Sequence, residues 1–236
     1  MAALSYERIT VPGVDAMDAW KELKGSGRGW PVIVGSDDDL DRIADQFSMG
    51  DPLASGVIVP DQHSRSPQDI LSAAANLTFP IDLSKWSEAF PADELNAPVG
   101  LWPPEAGGGS LGPSVVFDHL RNTFHPHVHI LLIPTERGWE VPAFLRWGDW
   151  NACPPPEYHV AALRSWHQHF AAELVGISGD TIDVRIGRRP DTRAEAMDLA
   201  RQHYQYCPDT IDQGFETISA LAADLMNSDW WFFWWD

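Results

Sequence analysis

The chain has 236 residues, 44% of them hydrophobic and 12 of them tryptophan, which is enough apolar surface for one large domain or two small ones without disulfide stapling. Its 34 acidic and 16 basic side chains leave a net charge of −18. That charge repels a phosphate backbone or an anionic membrane, so neither is expected as a partner, and it favours a basic protein or a cationic ligand.

Residues 1–20 intersperse acidic and polar groups among the apolar ones, so no cleaved secretory signal is expected, and no stretch reads as transmembrane. Cys153 and Cys207 are the only cysteines, which is cytosolic usage rather than a secreted framework. A cytoplasmic location is the expectation.

In chain order, Ala16, Trp20 and Leu23 follow helical spacing, and Pro31-Val32-Ile33-Val34 reads as a buried strand after a glycine-rich turn. Ser36 is placed to cap a following helix. Asp37, Asp38 and Asp39 would sit at its positive end, and Leu40, Ile43, Ala44 and Phe47 form its apolar face. Val57-Ile58-Val59 predicts a further short strand, and Ser66-Pro67-Gln68-Asp69 opens another helix. The Gly/Pro-rich run 103–113 divides the chain into an N-terminal α/β region (1–102) and a C-terminal α+β domain (114–236).

Beyond that run, His129–Ile133 and Val141–Trp147 are predicted to be a pair of strands joined through Gly138. A helix opens at Pro156 and Glu157, with Val160, Leu163, Trp166, His167 and Phe170 along one side, and leads into Leu174-Val175-Gly176-Ile177. Gly179-Asp180 reads as a hairpin turn, Thr181–Ile186 as a half-exposed strand, and Thr192–Glu195 as a capping box. A last helix over Phe215–Leu225 precedes six consecutive aromatics between Asp229 and Asp236. These six predict a buried internal strand that needs cover on both faces, the other reading being an edge that meets a partner. The mixture of elements indicates an α+β, or mixed α/β, protein: a C-terminal mixed sheet packed by helices with a smaller N-terminal α/β region.

Four segments, Trp147-Gly148-Asp149-Trp150-Asn151-Ala152-Cys153-Pro154, Gly179-Asp180-Thr181, Tyr206-Cys207-Pro208-Asp209 and Trp234-Trp235-Asp236, together resemble the bacterial family of domain of unknown function 4253 over roughly residues 125–236. The resemblance implies a bacterial, cytoplasmic protein and marks these positions as a signature, but it implies no reaction or ligand.

Among chemically suggestive groups, His125, His127 and His129 alternate and could present three imidazoles to a transition metal, although Pro126 interrupts strand pairing. Cys153 and Cys207 each precede proline and could meet as a thiol pair or beside His159 or Asp209, or pack as small hydrophobes. Gly25–Gly29 precedes a strand rather than following one, which is the wrong order for a phosphate loop. The leading expectation is a non-enzymatic protein-interaction module, of immunity or inhibitor type, with a basic protein partner. The alternative is a small-molecule or metal-dependent enzyme, a hydrolase for example, with its site at the signature turns. Candidate functional residues are Asp149, Trp150, Asn151, Cys153, Asp180, Cys207, Asp209, Trp234 and Trp235. No cofactor is expected beyond the transition metal considered for the histidines.

Overall fold

A computed structural model describes residues 4–49, 65–83, 96–104 and 112–235. The strand expected at Val57–Val59 and residues 105–111 of the 103–113 run lie outside these residues. In chain order the elements are β1 (Glu7–Val11), α1 (Ala16–Lys24), β2 (Trp30–Gly35), α2 (Asp37–Met49), α3 (Pro67–Ala75), β3 (Phe117–Asp118), β4 (Thr123–Phe124) and β5 (Val128–Ile133). They continue with α4 (Val141–Leu145), α5 (Pro156–Phe170), β6 (Glu173–Ile177), β7 (Thr181–Arg185), α6 (Arg193–Tyr206), a π-helical turn (Thr210–Phe215), α7 (Ile218–Leu225) and β8 (Trp230–Trp234). The fold is α+β.

Six strands form one mixed sheet in the order β1-β5-β2-β6-β7-β8, and β3 pairs with β4 in a separate ribbon. Every pairing in the large sheet is antiparallel except β2 with β6, which run parallel through Ile33 and Gly176. Strand β2, from the N-terminal region, therefore lies between β5 and β6 of the C-terminal domain. The run 103–113 separates the two regions in sequence, but they share a single sheet, and one hydrophobic core includes Trp20 and Ile33 together with Trp166 and Phe233. Strands β2 and β5 are buried at every position, as continuous apolar runs with both faces covered should be.

Several elements follow their local signals. Ser66 and Asp69 close a reciprocal capping box, with Pro67 in the first helical turn. The Ser36 amide donates to the Asp39 carboxylate at 2.9 Å, and Thr192 accepts from the Glu195 amide. Three elements differ from expectation, the aromatic strand described below and two others. Val141–Leu145 is a short helix, not a strand paired with β5; Pro142 suits a first helical turn and Arg146 closes it in a left-handed conformation, while both sides of β5 are taken by β1 and β2. Strand β7 is not half-exposed, because Ile182, Asp183 and Val184 are all buried.

The burial of Asp183 has a definite cause. Its carboxylate accepts the Ser114 amide at 2.9 Å, the Val115 amide at 3.2 Å and the Ser114 hydroxyl at 3.0 Å, which fixes the turn before β3 over the sheet. Gly176, across the β6–β7 ladder, makes room: a Cβ there would lie 2.8 Å from the Asp183 carboxylate and 2.7 Å from Val115.

The aromatic run forms β8 at one end of the sheet rather than an internal strand. Trp231, Phe233 and Trp235 point into the core, where Phe233 stacks on Trp166 at 5.3 Å and meets Tyr206 edge-on. The opposite face is not closed, since Phe232 remains 44% exposed. Replacing Phe233 by alanine is expected to cost roughly 3–5 kcal/mol. Deleting 230–236 removes three such side chains and should abolish cooperative unfolding, since a domain holds only about 5–15 kcal/mol in total. A urea titration reads both, and a truncated chain that melts cooperatively would refute the core assignment.

Candidate functional site

The signature turns converge at the end of the sheet where β6 finishes and β8 leaves it. The indole of Trp147 donates to the Ser178 carbonyl at 2.7 Å, the amide of Trp235 donates to the Asp180 carbonyl at 3.1 Å, and the thiol of Cys207 donates to the Trp234 carbonyl at 2.9 Å. Trp147 meets Trp150, His159 and Trp235 edge-on. Asp180 binds Ser178 and pairs with Arg42 of α2 at 3.2 Å, which ties the β6–β7 hairpin to that helix. Asp149 and Asn151 both have positive φ in the turn after Gly148, and Asp209 accepts from Gln213 at 2.8 Å. The sequence candidates Asp149, Trp150, Asn151, Cys153, Asp180, Cys207, Asp209, Trp234 and Trp235 thus cluster, and their contacts hold turns together.

Cys153 does lie beside His159, with Sγ 3.4 Å from Nε2, while Nδ1 of the same ring is 2.6 Å from the Tyr206 hydroxyl. The Pro154 carbonyl, which can only accept, also bonds this ring. Gly148 lies against both: a Cβ there would meet Pro154 O at 2.2 Å and His159 Nε2 at 2.7 Å, at a φ of +116°. This assigns the ring proton to Nε2 and makes Tyr206 the donor to Nδ1. The arrangement has the outline of a nucleophile and base without their electrostatics. Burial raises the Cys153 thiol well above its ordinary range and lowers the His159 imidazole to about 3, so both are neutral. Burial likewise raises Cys207 to about 12. Both thiols are free and buried, as small packed groups rather than nucleophiles.

A different set of residues has the character of a metal centre. Nε2 of His127 lies 2.8 Å from one oxygen of Asp37, and Nε2 of His129 lies 2.7 Å from the other. Their ligand atoms all lie within 4.8 Å of one another. Asp37 opens α2 immediately after β2, and register places Gly35 opposite His129, so the chain turns its first helical carboxylate onto the two rings. Hydrogen bonds from the two histidines hold that carboxyl below its ordinary range. Thr10, paired across β1 with His129, puts its hydroxyl 3.0 Å from Nδ1. A hydroxyl can donate to Nδ1 in one tautomer and accept from it in the other, so the ring can carry its proton on Nδ1 and free the Nε2 lone pair for a metal without losing this support.

His125 does not join them. Its backbone pairs with Val116 and Gly13, the chain bends at Pro126, and its side chain lines a separate cleft of about 500 Å³ together with Asp39, Ser178, Asp180 and Trp234. This cleft lies beyond the carboxyl ends of the parallel strands β2 and β6, where open sheets commonly receive ligands. Two of its lining residues, His125 and Asp39, are each two positions from a residue of the His–Asp–His set. The strand alternation signalled His127 and His129, but Asp37 read only as a charge favourable to a helix start. Nothing local in the sequence indicates that β2 pairs with β5. His203 and Asp183 were also unmarked, since neither stands in a motif.

These features define an α+β protein with an aromatic cluster around β8 and a His–Asp–His cluster at the start of the interior strand β5. Its residues 129–236 match the family model described as a domain of unknown function (DUF4253). No curated protein and no solved structure matches the chain. Among the described residues no helix is long and apolar enough to cross a membrane.

The buried imidazoles set a pH dependence. His159 and His203 are both lowered to about 3, so the stability they confer is complete above about pH 6.5, where the unfolded imidazole is neutral, and is lost as pH falls toward 3. Asp183, raised to about 6 by burial, acts oppositely and favours the fold as pH falls from 6 toward 4. The histidines outweigh it. The net expectation is a loss of roughly 2–3 kcal/mol between pH 7 and pH 5. Urea titrations at the two pH values measure it, and equal stability at both would contradict the neutral assignment of the histidines.

Proposed function

We propose that the chain binds one divalent transition-metal ion through Asp37, His127 and His129. The reading rests on the placement of both Nε2 atoms on the two oxygens of one carboxylate, with Thr10 supporting His129 from behind. Two imidazoles and a carboxylate suit zinc, iron or nickel. Three protein ligands leave positions open for water or substrate, as catalytic rather than structural sites do. His127 and Asp37 are accessible from solvent while His129 is buried, so an ion has an entry path and one fixed anchor. An ion there would lower the pKa of a bound water and polarise an oxygen of the substrate, which makes hydrolysis the reaction class that best suits it.

Metal-free protein titrated with Co(II) and Zn(II) tests the assignment. The expected result is one ion per chain, with visible Co(II) bands of a low-coordinate nitrogen–oxygen site. Replacing His127 and His129 together by alanine should remove binding, while Asp37→Asn should weaken it by roughly 10–100-fold. Absence of stoichiometric binding, or binding unchanged in the double variant, would overturn the proposal.

A second reading, the protein-interaction module, is favoured by the outer face of β8. Exposed Phe232 lies with Phe117 and Phe124 around an apolar hollow, and the net charge of −18 would draw a basic partner to it. Such a partner should be recovered from the native host at low salt and associate more slowly as salt screens the attraction. Recovery of no stoichiometric partner would remove this reading.

A further inference from the structure

A second cavity, of about 330 Å³, is walled by β8, the π-helical turn and α7, and falls in the size range of small-molecule sites. Three of its lining residues carry a polar atom with no partner among the described residues: Oγ1 of half-buried Thr210, and Nε2 of His203 and Nε1 of Trp231, these two in side chains almost completely buried. Buried polar groups are nearly always bonded, so three orphans among the residues of one cavity indicate that something else bonds them there. The side-chain carboxylate of Asp224 lines the same cavity, half-buried, and accepts from no donor among the described residues. Desolvation raises its pKa, as expected for a carboxylate lacking a counter-charge. Asp209 is a second carboxylate on the wall, no lysine or arginine is among the lining residues, and Trp230, Trp234 and Phe215 add aromatic surface.

We infer that this cavity binds a compact organic cation: a protonated amine on an aromatic body that carries a hydroxyl. The amine supplies the positive charge that Asp224 lacks and that indole faces attract. A carboxylate ligand would meet two like charges and no cation. The hydroxyl answers the two ring orphans, because it can accept from the Trp231 N–H, which only donates, and exchange a hydrogen bond with the neutral His203 ring in either tautomer. An aromatic body fits the apolar walls. No ligand of the proposed metal centre takes part, so the two sites stand or fall separately.

Calorimetric titration of the metal-free full chain at neutral pH with tyramine, phenethylamine and phenylacetate tests the inference. Tyramine should bind once per chain and saturably. Phenethylamine, lacking the hydroxyl, should bind several-fold more weakly, and phenylacetate should not bind. Asp224→Asn, checked for folding by its melting transition, should weaken tyramine by roughly tenfold. Saturable binding that Asp224→Asn leaves unchanged would overturn the proposal. So would failure of the wild-type chain to bind tyramine, as when ordered water alone fills the cavity, or phenylacetate binding as tightly as the amines. If the variant does not fold, the contrast between amine and carboxylate on the wild-type chain decides. Equal affinities for tyramine and phenethylamine would overturn the assignment of His203 and Trp231 to the ligand.

Discussion

Strand β2 must lie between β5 and β6 for the rest of the structure to exist. Neighbouring strands sit about 4.8 Å apart, so β5 and β6 are about 10 Å from one another with β2 between them. They cannot share hydrogen bonds across that distance. Residues 129–236 on their own would therefore hold β5 apart from the β6-β7-β8 meander, with two strand edges facing each other in the interior and their amides and carbonyls unanswered. The N-terminal region is the part that completes this sheet. Its strand is buried throughout, and it brings Trp20 and Trp30, whose indoles donate to the Pro31 and Leu174 carbonyls, into the same core.

The same insertion creates the His–Asp–His cluster. Chain leaving β2 at Gly35 starts α2 at once, which leaves Asp37 no route except over the end of β5, where His127 and His129 stand. The cluster draws on both sides of the family boundary, since His129 is the first matched residue and Asp37 and His127 lie outside the match. The signature turns, by contrast, lie wholly within the matched segment and bond mainly to one another. Their positive φ values, their Gly148 contact and their indole-to-carbonyl bonds all describe a means of locking β8 to the β6–β7 hairpin.

How much could be read in the sequence followed from the range of each interaction. Capping residues, the Pro31–Val34 and His129–Ile133 runs and the helix at Pro156 were legible because each signal lies within a few residues of its effect. Val141–Leu145 misled because five apolar residues are too few to show a period, and the deciding facts, Pro142 and the occupied flanks of β5, required local turn chemistry and the topology together. The aromatic run was legible as core but not as an edge, since its alternation gives two faces and says nothing about what covers the second. Within the candidate site, His127 and His129 were visible as an alternating pair. Asp37 was not, because it lies 90 residues from His127 and joins it only through strand order.

His159 and His203 show how similar burial can lead to different consequences. Both rings are closed off from water, held neutral and packed among tryptophan, tyrosine and phenylalanine. A buried imidazole without partners forfeits its hydration, which costs on the order of 1–3 kcal/mol per unmatched polar atom. For His159 that cost is offset by Tyr206, the Cys153 sulfur and the Pro154 carbonyl, so the ring completes a closed neutral chain and needs nothing from outside. For His203, Nε2 has no partner among the described residues, and neither has the N–H of Trp231 in the same cavity lining. Packing alone would be served as well by leucine or phenylalanine at position 203, with no polar atom to desolvate. The polar ring there is better explained by a contact that the cavity supplies than by the core that surrounds it.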